Sequence, residues 1–306
     1  MRFLSAILFL IAFTQVNSAV ARHVASDTVI VKMGVRNTAL TADWKDAITS
    51  RMSKPELDSM MAIRRPLSND EEAWAKVFQS KAADWNKKRS RLMQPFGKIT
   101  LPDTLYVLLG AFGSDDAFSY RFDTMCFDLT AFNTEYGAAT MPGNPDKTDI
   151  IFDHEFSHLL HKKWAQQTNL QLKTYKDSTL YECIYEGLGM YRSLPQRWLP
   201  KNGVIPDTTI KTLNKLYPDF VKQLTLIQTK QNLSDEEKTQ VEKHLSRGKV
   251  TDKWGAFPVA IWLALEANGD DRELQYWMNK GPNAIPELAK KYLTGEEKRR
   301  FGQVYR

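Results

Sequence analysis

Cysteine is scarce in this chain: of 306 residues only Cys126 and Cys183 carry a thiol. A disulfide framework of the kind that staples small secreted domains is therefore excluded, and at most one bridge can form. Long apolar runs are missing too. Beyond the first 21 residues no stretch reaches 18 uninterrupted apolar residues, so no stable membrane span is expected. Nor does charge of one sign accumulate. Lys+Arg 42 against Asp+Glu 36 gives +6, with the basic residues spread along the chain. The tightest basic run, Lys87-Lys88-Arg89-Ser90-Arg91, falls at the end of an expected helix, where cations offset the helix dipole. No interleaved aromatic groove or RNA-binding motif accompanies it, so nucleic acid is not an expected partner. Internal repeats and low-complexity segments are absent.

What is present is ordinary globular composition, with 42% hydrophobic and 25% charged residues on a chain long enough to bury a sizeable core. The first 21 residues differ. Arg2 gives a positive start, Phe3 to Phe13 is almost wholly apolar, and Ala19-Val20-Ala21 forms an A-x-A cleavage site. This pattern is that of an export leader, with the mature chain expected near Arg22 in a periplasm or outside the cell. In that setting a Cys126–Cys183 bridge and two buried free thiols are both open.

Thr28 to Met33 has the β-branched character of a strand. Helix follows from about Thr41, interrupted near Pro55 and Pro66. Ser68 with Glu71 forms a capping box that opens a helix whose apolar face is Trp74, Val77, Phe78, Ala82 and Trp85. A β-hairpin region is expected next, from Asp103 to Phe112 and from Thr124 to Phe132. In the second strand Met125, Phe127 and Leu129 alternate with Cys126, Asp128 and Thr130, as in an edge or half-covered antiparallel strand. After a Gly/Pro/Asn-rich loop (137–146) helices are expected at about 149–166, 179–193, 207–229, 234–246, 255–267 and 284–293. The fold class is therefore α+β. A small antiparallel or mixed sheet, with an edge strand over the 149–166 helix, is followed by a mainly helical C-terminal lobe. Residues 22–306 read as one domain, with a helix-and-sheet part to 147 and a helical part from 148.

Three of the five histidines, His154, His158 and His161, fall within eight residues. His154-Glu155-Phe156-Ser157-His158 is an HExxH segment, with a chance expectation of roughly 0.004 per chain of this composition. On a helix the two imidazoles share a face and can reach one ion, while Glu155 is placed to act as general base on a metal-activated water. Thr148 is a candidate cap for that helix. A catalytic zinc site needs a third ligand. His161 returns to the same face but lies roughly 10.5 Å along the axis from His154, too far for one ion to reach both. It is better placed as a second-shell or surface residue. Downstream, Glu182 and Glu186 stand one turn apart. Thr179 and Glu182 match a capping box, which gives Glu182 a structural task, with orientation of a ligating His as its other possible one. Glu186 sits a turn deeper, beside Gly187 and Gly189, whose missing side chains suggest a close approach to the HExxH helix.

HExxH followed by Tyr185-Glu186-Gly187-Leu188-Gly189-Met190-Tyr191 resembles the gluzincin metallopeptidases. In size and layout the chain is most similar to small secreted zinc proteases of bacteria. The resemblance covers about Leu101 to Tyr191, with Trp254 to Ala267 in the place of a packing helix. It implies Zn2+ held by His154, His158 and Glu186, Glu155 as base, and a peptide or protein substrate bound along the strand from Thr124 to Phe132. No GAMEN-type exopeptidase motif occurs. The family's transition-state donor has no motif here either, leaving His244, Tyr191 and Tyr217 as candidates, with His244 better suited to a surface position. The competing expectation is a non-catalytic zinc-containing binding protein, against which the intact Glu155 argues.

Overall fold

The computed structural model describes residues 28–49, 51–112 and 115–305; the leader-like segment 1–21 lies outside the described residues. The strands are β1 (Thr28–Met33), β2 (Val35–Arg36), β3 (Ala39–Leu40), β4 (Thr104–Gly110), β5 (Ala117–Arg121) and β6 (Thr124–Asp128). Helices α1 (Ala42–Thr49), α2 (Lys54–Ala62) and α3 (Asn69–Met93) lie between β3 and β4, and α4 (Leu129–Tyr136) follows β6 directly. Then come α5 (Asn144–Gln167), α6 (Tyr175–Ser193), α7 (Asp207–Thr229), α8 (Asp235–Glu242) and α9 (Ala256–Ala267). The last helices are α10 (Gln275–Lys280), α11 (Ala284–Tyr292) and α12 (Gly295–Val304). The class is α+β, with a small mixed sheet and a helical C-terminal part.

The main sheet has the order β1-β4-β6-β5. β1 and β6 both pair in parallel with β4, and β5 pairs antiparallel with β6. The expected hairpin of 103–112 with 124–132 is therefore corrected: those strands run parallel. The hairpin partner of β6 is β5, a five-residue strand unanticipated because it directly follows loop residues. The expected edge position of 124–132 is also overturned. β6 lies between β4 and β5, with all five residues buried.

The strand ends early because the Asp128 carboxylate accepts a hydrogen bond from the Ala131 N–H (2.8 Å) and caps α4. Period-two alternation still operates within β6. Met125 and Phe127 enter the main core, while Cys126 enters a smaller core on the other face with Trp44, Leu108 and Phe118 beneath α1 and α2. Both faces of β6 are thus buried, including the one expected to be polar. The same arrangement separates the thiols. Cys183 belongs to the main core, and both cysteines are buried and unbridged.

The main core draws on residues from Val29 to Tyr305. The Ser68–Glu71 capping box forms as expected, Glu71 accepting from the Ser68 N–H at 2.7 Å, and starts α3. That helix places Trp74, Phe78 and Trp85 in the core. Trp85 stacks on Phe152 of α5 (centroids 4.4 Å apart, 9° from parallel) and so sets the rotation of the HExxH helix.

Two expected caps move upstream. α5 starts after Gly143 with Pro145 in its first turn, and the Thr148 hydroxyl donates to the Pro145 carbonyl instead (2.7 Å). α6 is capped by Thr174 in a box with Asp177, so Thr179 lies inside the helix, its hydroxyl donating to the Tyr175 carbonyl at 2.9 Å. Both Thr174 and Thr179 have an acidic residue three positions on. The earlier one caps because no Pro or Gly between them stops the helix. Among the described residues, no helix is long and apolar enough to cross a membrane.

Candidate metal centre

α5 and α6 meet at the residues that carry donor atoms. His154 and His158, one turn apart on α5, bring their Nε2 atoms to 2.9 Å. Glu186 of α6 reaches toward both: its Oε2 lies 3.8 Å from His154 Nε2 and its Oε1 3.6 Å from His158 Nε2. Glu155 is buried alongside, with donor atoms of His154, Glu155 and His158 all within 4.8 Å of one another. The two glycines of α6 permit this closeness on opposite sides. A Cβ at Gly189 would stand 3.0 Å from Cε1 of both imidazoles. A Cβ at Gly187 would stand 2.5 Å from Val259 Cγ1, so this glycine admits α9 rather than the HExxH helix.

Burial pushes the pKa of His154 down to about 4, with the nearby Lys253 charge adding to the effect and a hydrogen bond to the Gly189 carbonyl opposing it. His158 is held well below its ordinary value, by burial first and by the neighbouring His154 and His161 next. Both rings are therefore neutral near pH 7, the form that ligates metals. The Gly189 carbonyl accepts a hydrogen bond from the His154 ring, and Nε2 of that ring faces His158 and Glu186. Ser193 Oγ also stands 3.2 Å from that Nδ1.

The carboxylates are displaced the other way. Burial, then Glu186 and Asp116, push Glu155 up to about 8, against the pull of Lys162 and Arg51. Burial and Glu182 push Glu186 up to about 7. Two neutral imidazoles and two carboxylates that resist ionisation describe a site suited to a divalent cation. Ligand pairs at a tetrahedral zinc with bonds of about 2.0–2.1 Å stand about 3.3 Å apart, and the separations here bracket that value. Two nitrogens and one carboxylate fit zinc and other first-row divalent ions alike.

Comparison with known proteins finds no match. No family model, curated protein or solved structure matches the chain. The centre rests on its own geometry.

The other expected residues fall elsewhere. Glu182 is not a cap. Its carboxylate takes a hydrogen bond from Ser246, and among the described residues it is not within 4.0 Å of a His ring nitrogen. It lines a pocket with Tyr175, Glu242 and Arg247. His161 is not on the surface: it is 1% exposed, edge-on to Phe96 at 4.8 Å, and burial lowers its pKa to about 3. His244 is exposed and stands beyond the end of α8 with φ 59°, not on a helix. The Tyr191 hydroxyl donates to Asp271 (2.9 Å), and the Tyr217 hydroxyl accepts from Trp262 in the helical core (3.3 Å).

Four residues at the centre went unforeseen. Tyr185 stacks on His158 and shares a hydrogen bond with Ser119 of β5. Lys162, one turn beyond His158, donates to the Ser119 carbonyl (2.9 Å) and hydroxyl (2.7 Å) and so ties α5 to the sheet's edge strand. Asp116, just before β5, and Lys253, just before α9, act on the site through their charge. The i+4 spacing from His158 could have pointed to Lys162. No local signal marks Lys253, which the packing of α9 on α6 brings in.

Proposed function

We propose that this chain is a zinc-dependent hydrolase that cleaves peptide bonds, a metallopeptidase of gluzincin type. The observation that carries the reading is the convergence of His154 Nε2, His158 Nε2 and Glu186 on one point beside the buried Glu155 carboxylate. His154, His158 and Glu186 would hold the ion. Bound there, zinc supplies Lewis acidity and makes a water acidic enough to lose its proton near neutral pH.

The rest of the chemistry belongs to the chain. Glu155 accepts the proton of the attacking water as its oxygen bonds to the scissile carbon and the carbonyl π electrons move onto oxygen. The carbon–nitrogen bond then breaks, and the same proton passes from Glu155 to the leaving amine. Burial and the Glu186 charge raise the Glu155 pKa in the metal-free site, and a divalent ion held beside it would draw that value back down and leave the carboxylate ionised to take the proton. A structural zinc site has no use for such a base, which favours an enzyme over a non-catalytic binding protein.

An extended peptide substrate is supported by the edge strand β5, which Lys162 fastens to the HExxH helix. The leader-like segment 1–21 supports export. The test is zinc stoichiometry and turnover of an unstructured protein by the wild type and by Glu155→Gln. One zinc in each, with turnover lost by at least about 100-fold in the variant, is the expected result. Wild-type turnover in Glu155→Gln overturns the reading.

A further inference from the structure

The outer edge of β5 offers a peptide less than a bare strand would. The Asp128 N–H donates to the Asp116 carbonyl at 2.9 Å, and the register pairs Ala117 with Phe127, Phe118 with Cys126 and Ser119 with Met125. Bonded and non-bonded pairs alternate in an antiparallel ladder, so Asp116 and Phe118 turn their backbone groups toward β6. Ala117 and Ser119 turn theirs away from it. Because β5 is the last strand of the sheet, those four outward groups meet no further strand.

Two of the four are already engaged, one at each end. The Ala117 N–H donates to the Asp116 carboxylate at 2.9 Å, and the Ser119 carbonyl accepts from the Lys162 ammonium at 2.9 Å. Half-buried Lys162 also donates to the Ser119 hydroxyl at 2.7 Å, so two of its three protons go to one residue. Between these ends, the Ala117 carbonyl and the Ser119 N–H have no hydrogen-bond partner among the described residues. They supply one acceptor and one donor, which suits a short piece of extended peptide. The place is close to the metal centre, since Lys162 follows His158 by one helical turn, about 6 Å along α5. Lysines commonly blunt exposed sheet edges against further pairing, but here the blunting stops at a single carbonyl.

We propose that Lys162 is a positioning residue: by occupying the Ser119 carbonyl it leaves the substrate only the Ala117 carbonyl and the Ser119 N–H, and so fixes one register of the peptide on β5. The inference rests on the metallopeptidase reading and deepens it by naming the backbone groups that hold the substrate. In either strand direction, β5 then accepts one substrate N–H, at Ala117. Withdrawing Lys162 opens a second acceptor at Ser119, and a second substrate N–H is held two residues from the first.

The experiment uses zinc-loaded wild type, Lys162→Met and Lys162→Arg with an extended phosphinic peptide, which binds without being cleaved. Each amide of this ligand is replaced in turn by an ester, which removes one N–H, and affinity is read by calorimetry beside zinc content. The wild type should lose about 3- to 10-fold in affinity at the position facing Ala117, the effect of one backbone hydrogen bond. Lys162→Met should keep one zinc and gain a second sensitive position two residues away. Lys162→Arg, which can still donate to the carbonyl, should keep the wild-type pattern. The same pattern in Lys162→Met as in the wild type overturns the proposal. So does a wild type already sensitive at two positions two residues apart, or at none, a result that does not depend on either variant folding. Each of these outcomes leaves the metallopeptidase reading standing if the wild type holds zinc and binds the phosphinic peptide, whereas a wild type that does neither defeats both.

Discussion

Tyr185 lies flat on the imidazole of His158, the ring centroids 4.0 Å apart and the planes 8° from parallel. The contact has a particular consequence because His158 Nδ1 is buried without a hydrogen-bond partner. His154 is oriented by the Gly189 carbonyl, but His158 has no such tether. Its ring plane is held by stacking instead. Tyr185→Phe keeps the stacked face and loses only the Ser119 hydrogen bond, so its zinc affinity should stay within about threefold of wild type. Tyr185→Leu removes the flat face and should weaken zinc binding by about 10- to 100-fold, the range seen when a ligand's orienting partner is lost. Competitive chelator titration decides. Equal affinities in the Leu variant and the wild type would show that the stack does not hold the ligand.

The two glycines of α6 separate metal binding from stability. Gly189→Ala sets a methyl 3.0 Å from Cε1 of both His154 and His158, so the rings must shift by a few tenths of an ångström. A weaker zinc site in a folded protein is expected, again by about 10- to 100-fold. Gly187→Ala drives a methyl to 2.5 Å from Val259 Cγ1 and should cost about 1–3 kcal/mol of overpacking, partly offset by the better helix propensity of Ala. Its zinc affinity should not change. Thermal melts of the metal-free proteins beside zinc titrations test the pair, and a reversal of the two phenotypes would refute the packing described.

His154, Glu155 and His158 are legible in the sequence because a helix turns a spacing of four into one face, and nothing between them can break that helix. Glu186 is legible for a related reason, since glycines in a helix mark close approach. That signal is only half directional: Gly189 faces the imidazoles and Gly187 faces α9, and the residues alone do not say which is which. The sheet is less legible. Parallel β4 and β6 with a short intervening β5 have the same local pattern as a hairpin, and burial of the Cys126 face depends on α1 and α2, which are remote from β6. The cap of α6 is misplaced by five residues because Thr174 and Thr179 offer the same motif, and only continuity of the helix chooses between them. Lys253 is invisible locally.

His161 gives a pH dependence with a definite sign. Its folded pKa, about 3, lies below the unfolded value of about 6.5 because burial among Phe96, Tyr181 and Tyr185 disfavours the imidazolium. A depressed folded pKa contributes stability that is present above the unfolded value and lost as pH falls toward the folded one. Between pH 7 and pH 5 the unfolded chain gains a proton here and the folded chain does not, a difference of about 2 kcal/mol. His161→Phe removes this component while His154 and His158 continue to contribute in both proteins. Urea denaturation of the metal-free forms should therefore show a smaller loss from pH 7 to pH 5 in the variant. Identical losses in the two proteins would mean that His161 takes up a proton in the folded state.

The assignment of the third ligand is the point on which the metal centre depends most, and Glu186 and Glu182 offer an internal control. They stand one turn apart on the same helix, but only Glu186 lies within 4.0 Å of the imidazole nitrogens among the described residues. Glu182 is turned to Ser246 and Arg247. Removing a ligand leaves two histidines, so Glu186→Ala should lose zinc to ordinary chelators and lose hydrolysis with it. Glu182→Ala removes a carboxylate that raises the Glu186 pKa through its charge. It should keep one zinc, with affinity within about tenfold of wild type. Metal analysis after dialysis against a chelator separates the two outcomes. A metal-free Glu182→Ala beside a zinc-loaded Glu186→Ala would exchange their roles. Zinc retained in both would mean that another residue completes the site, and the resemblance to gluzincins would lose its main support.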